Sequence, residues 1–230
     1  MATSEQVFVR GLCAGCGMYG IHRAPDDWER LVRRGKQLAS QRDPAGIEIL
    51  VSGLRWRYDT ARNRAVEALV SLGPTITPRL LRVLNTAETA VERRAAVDGL
   101  GLLKSKDIIR DLLKALRDPN MVVRRAAMAA LVRIGASESV PQISTLLKDE
   151  SGGVRVLAAG VLGQFRDRRA VPALVRSLRD EKWYVRQAAA ASLGLLRDRR
   201  AIGPLKAALQ DSRPAVSNAA RVSLKALGKG

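Results

Sequence analysis

One 31-residue unit recurs along this chain, and that recurrence constrains the fold more than any other feature of the sequence. Ala65, Ala96, Ala127, Ala158, Ala189 and Ala220 form one periodic column. Leu69, Leu100, Leu131, Leu162, Leu193 and Leu224 form a second. Leu116, Leu147, Leu178 and Leu209 keep the same step, with Leu81, Leu112, Ile143, Leu174 and Leu205 beside them. So do Asp118, Asp149, Asp180 and Asp211, and the basic column Arg62, Arg93, Arg124, Arg155 and Arg186. Several independent columns sharing one period exclude chance. A unit this short cannot bury its own apolar side, so stacked neighbours must supply the core.

Each unit reads as two helices. Ala170 to Leu178 typifies the first, with Pro172 in the opening turn where a missing N–H costs nothing. Val185 to Gly194 typifies the second, its apolar residues spaced three and four apart as one buried helical face requires. The pattern predicts second helices near 60–72, 90–103, 121–134, 152–165, 183–196 and 214–227, an extra helix over about 26–39 and a first-helix partner over about 44–55. The expected fold class is all-α: a solenoid of about six helix pairs over residues 26–230, preceded by an N-terminal segment, 1–25. The last unit, about 200–230, reads as a cap, because Ser217 replaces the periodic Arg and Lys225 the Gly found at 101, 163 and 194. Aromatics are only 3% of the chain, so Ala, Val, Leu and Ile must build the interior.

The string from Asp180 through Val185-Arg186, Ala188-Ala189 and Ser192-Leu193-Gly194 resembles the phycobilin-lyase-type HEAT-like repeat family. So does Arg168-Arg169-Ala170-Val171-Pro172 with Leu174 and Leu178. The resemblance covers about residues 45–228 and implies a HEAT-like α-solenoid whose second helices line a concave face. It leaves function open, because family members include chromophore lyase subunits, a hydroxylase, nucleic-acid enzymes and adaptors.

Formal charge is +18, and only nine of the 40 basic residues are Lys, an Arg bias of the kind that genomic base composition also produces. Acidic partners are therefore worth considering. The Arg column has two readings: a ladder gripping phosphates, or structural pairing with the preceding Asp and with carbonyls between units. The second is the better supported. Lys104, Lys106, Arg166, Arg168, Arg169, Arg197, Arg199 and Arg200 crowd the loops that follow second helices, where stacking would align them into a basic ridge. The plain reading of that ridge is a solvated, Arg-biased edge.

On the presumed concave face the repeats stop agreeing. Tyr58, Met121, Trp183 and Tyr184 stand near helix starts, Asn63, Arg94, Arg125 and Gln187 a turn later, and Glu67 and Asp98 add acidic points. Variation on a constant framework is how solenoids encode partner choice, and Trp, Tyr and Arg dominate interface hot spots. Trp183 and Tyr184 serve equally well as helix-start packing.

Cys13 and Cys16 are spaced like one half of a zinc ribbon, with His22 nearby. A second half is missing, so zinc or iron–sulfur ligation, redox chemistry and no metal at all stay open. The chain's single His excludes a di-iron site built from repeated His-Glu pairs, and no nucleotide-binding Gly-rich loop or His-based nucleophile pair is present. The leading expectation is a non-enzymatic, cytoplasmic scaffold that binds a protein through the concave face. Nucleic-acid binding along the basic ridge, and a tetrapyrrole lyase-like or other cofactor-handling role, are the alternatives.

Overall fold

The computed structural model describes residues 25–228. Backbone contacts group the chain into two compact units, divided between Ser71 and Leu72. The first contains α1 (Pro25–Ser40), α2 (Pro44–Ser52) and α3 (Asp59–Val70). Asp43 caps α2, its carboxylate accepting the Ala45 N–H at 2.9 Å. α1 and α2 meet backbone to backbone at Gly46, where an added Cβ would lie 2.3 Å from the Ala39 nitrogen. Leu50, Leu54 and Leu69 are wholly buried in this unit.

Five further helix pairs make the second unit: α4 (Thr77–Thr86) with α5 (Ala90–Leu103), α6 (Ile109–Ala115) with α7 (Met121–Ile134), α8 (Val140–Thr145) with α9 (Gly152–Phe165), α10 (Val171–Ser177) with α11 (Trp183–Leu196), and α12 (Ile202–Ala208) with α13 (Pro214–Ala226). Each second helix packs against the next, α5 on α7, α7 on α9, α9 on α11 and α11 on α13. No strand occurs among the described residues. The architecture is the α-solenoid of HEAT-like helix pairs that the 31-residue period requires.

The periodic columns form its core. Ala96, Ala127, Ala158, Ala189 and Ala220 are fully buried, as are Leu100, Leu131, Leu162 and Leu193, because only a methyl fits where neighbouring second helices approach most closely. Ser192 and Ser223 donate across that contact to the Ala159 and Ala190 carbonyls of the preceding repeat, at 2.7 and 2.8 Å. Gly163 and Gly194 leave room for these serines.

The first-helix column departs from the expected register once. In α4 the buried pair is Leu80 and Leu84, while Leu81 is only half-buried. Leu112 and Leu116 sit 32 residues after that pair instead of 31. One more residue separates Leu84 from the start of α5 than separates Leu116, Leu147, Leu178 or Leu209 from the second helix that follows it, which rotates α4 by one position while α5 stays in phase. Each later first helix is entered through a short 3-10 turn, at 106–108, 137–139, 168–170 and 199–201. Hydropathy periodicity gave no sign of these turns.

Candidate functional site

The Arg column is a set of clasps between repeats, and it pairs in a direction the sequence did not suggest. Arg93 meets Asp118 through Nε at 2.7 Å and Nη2 at 3.0 Å. Arg155 meets Asp180 at 2.8 and 3.1 Å, and Arg186 meets Asp211 at 2.6 and 2.8 Å, in the same two-pronged way. Arg124 reaches Asp149 through Nη2 alone, at 2.8 Å, and its buried Nε has no partner among the described residues. The partner Asp lies 25 residues ahead, in the next repeat. Meanwhile the same guanidinium donates through Nη1 to two carbonyls of its own loop, as Arg155 does to Asp149 and Glu150 at 2.9 and 3.3 Å. Pairing with the preceding Asp side chain is thus corrected: the preceding Asp supplies its backbone carbonyl, and its carboxylate belongs to the repeat before.

The forward step explains both ends of the column. Asp211 is held by Arg186, so Ser217 needs no guanidinium, and it instead donates to the Pro214 carbonyl at 3.1 Å. Arg62 has Ala87 at the forward step and turns to Asp59 in its own helix. Each clasping carboxylate also accepts the N–H two residues on, for example Lys182 to Asp180 at 2.9 Å. Burial acts to raise the Asp118 pKa, but Arg93 and the Asn120 N–H together hold it below the ordinary range; Asp211 is depressed chiefly by Arg186.

The loops after second helices carry a second network. Asp167 accepts the Arg169 N–H at 2.8 Å and its guanidinium at 2.6 Å, and Asp198 accepts the same groups of Arg200. The Arg200 guanidinium and N–H lower the Asp198 carboxyl to about 2. Each of these arginines also reaches back one repeat, Arg169 to the Ser137 carbonyl at 3.3 Å and Arg200 to the Arg168 carbonyl at 3.1 Å. Arg169 and Arg200 are therefore braces between loops, while Lys104, Lys106, Arg166, Arg168, Arg197 and Arg199 point into solvent.

On the second-helix side, Met121 and Trp183 are 45% and 40% exposed, unusual for side chains this large. Val91 and Val122 join them at equivalent helix starts. Between Met121 and Trp183 lies the start of α9, Ser151-Gly152-Gly153, which carries almost no side chain. Ser151 donates to the Met121 sulfur at 3.3 Å. The Tyr184 hydroxyl lies over Gly152, 2.4 Å from where a Cβ would stand, and its ring meets Trp183 edge-on with centroids 5.9 Å apart. Met121, Tyr184 and Trp183 thus gather around the side-chain-poor start of α9, a site called the notch below, with Arg125 exposed a turn further on from Met121. Gln187 is half-buried. Arg94 and Asp98 form a salt bridge with each other at 3.3 Å, and burial raises the Asp98 pKa against the opposing charges of Arg94 and Arg133. Tyr58, Asn63 and Glu67 are exposed in the first unit, where Glu67 pairs with Arg64 at 3.1 Å. Sequence reasoning missed Val91, Val122 and the paired glycines.

Cys13, Cys16 and His22 lie outside the described residues. Among the described residues no cluster of three or more His, Cys, Asp or Glu side chains is arranged to hold a metal ion, and no helix is long and apolar enough to cross a membrane.

Comparison with solved structures places the fold among repeat proteins. The YibA protein of Escherichia coli is 21% identical, with a TM-score of 0.63 over 88% of this chain and 76% of that one. A designed armadillo repeat protein in complex with the peptide (KR)4 is 17% identical, with a TM-score of 0.55 over 88% of this chain and all of that one. The CpcE–CpcF complex of phycocyanin lyase from Nostoc is 21% identical over 99% of this chain and 88% of that one, at a TM-score of 0.44. No curated protein matches the chain. The family model for HEAT repeats matches residues 77–155 and 140–225, more than half of the sequence, and the chain belongs to the HEAT-repeat family.

Proposed function

We propose that this protein is a non-catalytic scaffold that holds a protein partner on the second-helix face of its second unit. The observation that carries this reading is the notch bordered by Met121, Tyr184 and Trp183: large side chains left half in solvent, on helices whose apolar columns are already buried. Burying such groups against a partner yields binding free energy without unmaking a packed core. Arg125, exposed beside the notch, adds a donor fork for a carboxylate or carbonyl. The designed armadillo repeat protein in complex with (KR)4 supports the reading, because that repeat scaffold holds a peptide. This chain is itself strongly basic, at +18, so an acidic segment is the complementary ligand here.

The test compares the wild-type chain with Trp183→Ala and Arg125→Ala in affinity capture from the native host, followed by titration of the identified partner in purified form. Each substitution is expected to weaken binding at least tenfold and to leave the thermal midpoint within about 2 °C, as surface changes do. Equal retention of the partner by all three proteins would refute the assignment. So would a fall of many degrees on losing Trp183, which would make that residue core.

A further inference from the structure

The backbone singles out the loop edge independently of the notch. Four non-glycine residues among those described adopt positive φ, namely Arg42, Lys104, Arg166 and Arg197, and all four are cations. The last three occupy one column of the repeat, the residue that ends each second helix, with φ of 53°, 52° and 48°. In the other three repeats that column holds Gly73, Gly135 and Gly228, at φ of 77°, 75° and 70°, the residue this conformation favours. Three of the six positions in that column thus hold Lys or Arg where glycine would be less strained. Attraction to the helix C-terminus favours a cation there, yet the side chains of Lys104, Arg166 and Arg197 make no hydrogen bond or salt bridge among the described residues. Two residues on stand Lys106, Arg168 and Arg199, equally exposed.

The two densest loops are held side by side. Arg200 donates to the Arg168 carbonyl at 3.1 Å, which brings loop 197–201 against loop 166–170 and sets the pair Arg166 and Arg168 beside the pair Arg197 and Arg199. Asp167 and Asp198 are engaged by the bracing Arg169 and Arg200 and form no salt bridge with the outward four, although Arg168 lies near enough to Asp198 to favour its charged form. The clasps likewise match one Arg to one Asp, which leaves the chain's excess of +18 on its surface.

We infer that the edge formed by Arg166, Arg168, Arg197 and Arg199, extended by Lys104 and Lys106, binds the phosphodiester backbone of double-stranded nucleic acid without reading its sequence. Cation pairs stepping by one repeat, about 8–10 Å as packed helices are spaced, meet a uniformly charged polymer in any register. An acidic polypeptide would need acids at a matching period. Guanidinium forks suit phosphate oxygens. Single strands are bound through stacked aromatics, and these loops expose none: Phe165, beside Arg166, is half-buried.

The experiment titrates the full chain into a fluorescently labelled mixed-sequence duplex of about 20 base pairs, between 50 and 200 mM salt. Four neutralised phosphates give a slope of log affinity against log salt of about −3.6. The double variant Arg166→Gly/Arg197→Gly is expected to lose about half of that slope and at least tenfold in affinity at 50 mM, with a thermal midpoint equal to or above wild type. Arg168→Ala/Arg199→Ala is expected to lose as much, while Trp183→Ala leaves duplex binding unchanged and so separates this edge from the notch. Undiminished binding by both double variants overturns the inference. Tighter binding of a single strand of equal length, or binding of polyglutamate with none of duplex, also overturns it. A midpoint lowered by several degrees in the glycine variant would make those arginines structural, and overturns it as well.

Discussion

Removing one carboxylate from the clasp ladder tests the whole account of how the repeats are joined. In Asp180→Ala the Arg155 guanidinium loses bonds of 2.8 and 3.1 Å, and the Lys182 N–H loses an acceptor at 2.9 Å. The Arg155 and Asp180 side chains are only 9% and 10% exposed, so water cannot readily replace the lost partner. Orphaning one member of a buried pair costs about 3–5 kcal/mol. Arg155 keeps its bonds to the Asp149 and Glu150 carbonyls and to Glu181, which puts the expected loss near the lower figure, about 3 kcal/mol. For a chain of this size that corresponds to a fall in thermal midpoint of roughly 6–12 °C. The double variant Arg155→Met/Asp180→Ala leaves no buried charge unpaired, so it should lose far less than the sum of the two single changes, with a coupling of about 2 kcal/mol. Circular dichroism melts and urea titrations measure all three. Hydrogen exchange should show the loss confined to α9, α11 and the loop between them, because repeats contact only their neighbours. Glu181, 70% exposed, is the control, and its replacement by Ala should change stability by under about 0.5 kcal/mol. A midpoint shift below 2 °C for Asp180→Ala, or strictly additive changes, would show that the clasps do not hold the ladder together.

Two further outcomes follow from the same geometry. Gly163→Ala would place a Cβ 2.6 Å from the Ser192 hydroxyl and 3.0 Å from its Cα, forcing α9 and α11 apart and straining the Ser192 bond to Ala159. A loss of about 1–3 kcal/mol in urea unfolding is expected. For pH, Asp198 titrates at about 2 in the folded chain against about 3.9 unfolded, and Asp118 and Asp211 are depressed in the same direction. A depressed carboxylate contributes stability that is fully present above its unfolded value and is lost as pH falls through its folded one. Acid unfolding should therefore develop between about pH 4 and pH 2, and Asp198→Asn should shallow that limb without adding pH dependence above pH 5.

How much was legible in advance differs between the framework and the site. Helix starts at 90, 121, 152, 183 and 214 were readable to the residue, because each sits in a fixed phase with a buried Ala and a buried Leu. The clasp was legible too, in a form that is easy to misread. Asp118 lies six residues before Arg124 and 25 after Arg93, and only the second step gives each of the four aspartates an arginine, leaving Arg62 alone outside the ladder. The one-position rotation of α4 was hidden, because a single extra residue between Leu84 and α5 leaves no mark on the second-helix columns.

The site divides along the same line. Sequence alone named Met121, Arg125, Trp183 and the loop cations, because each departs from its column or recurs outside the apolar pattern. It gave no means of separating Arg169 and Arg200, which brace one loop to the next, from Arg166 and Arg197, which project outward from left-handed backbone. Those four are the same residue type within a few positions of one another. A one-dimensional period determines which side chains every repeat must bury, since burial is a demand each unit makes of its neighbours. Which of the leftover charges find a partner depends on distances across repeats, and only the folded chain sets those.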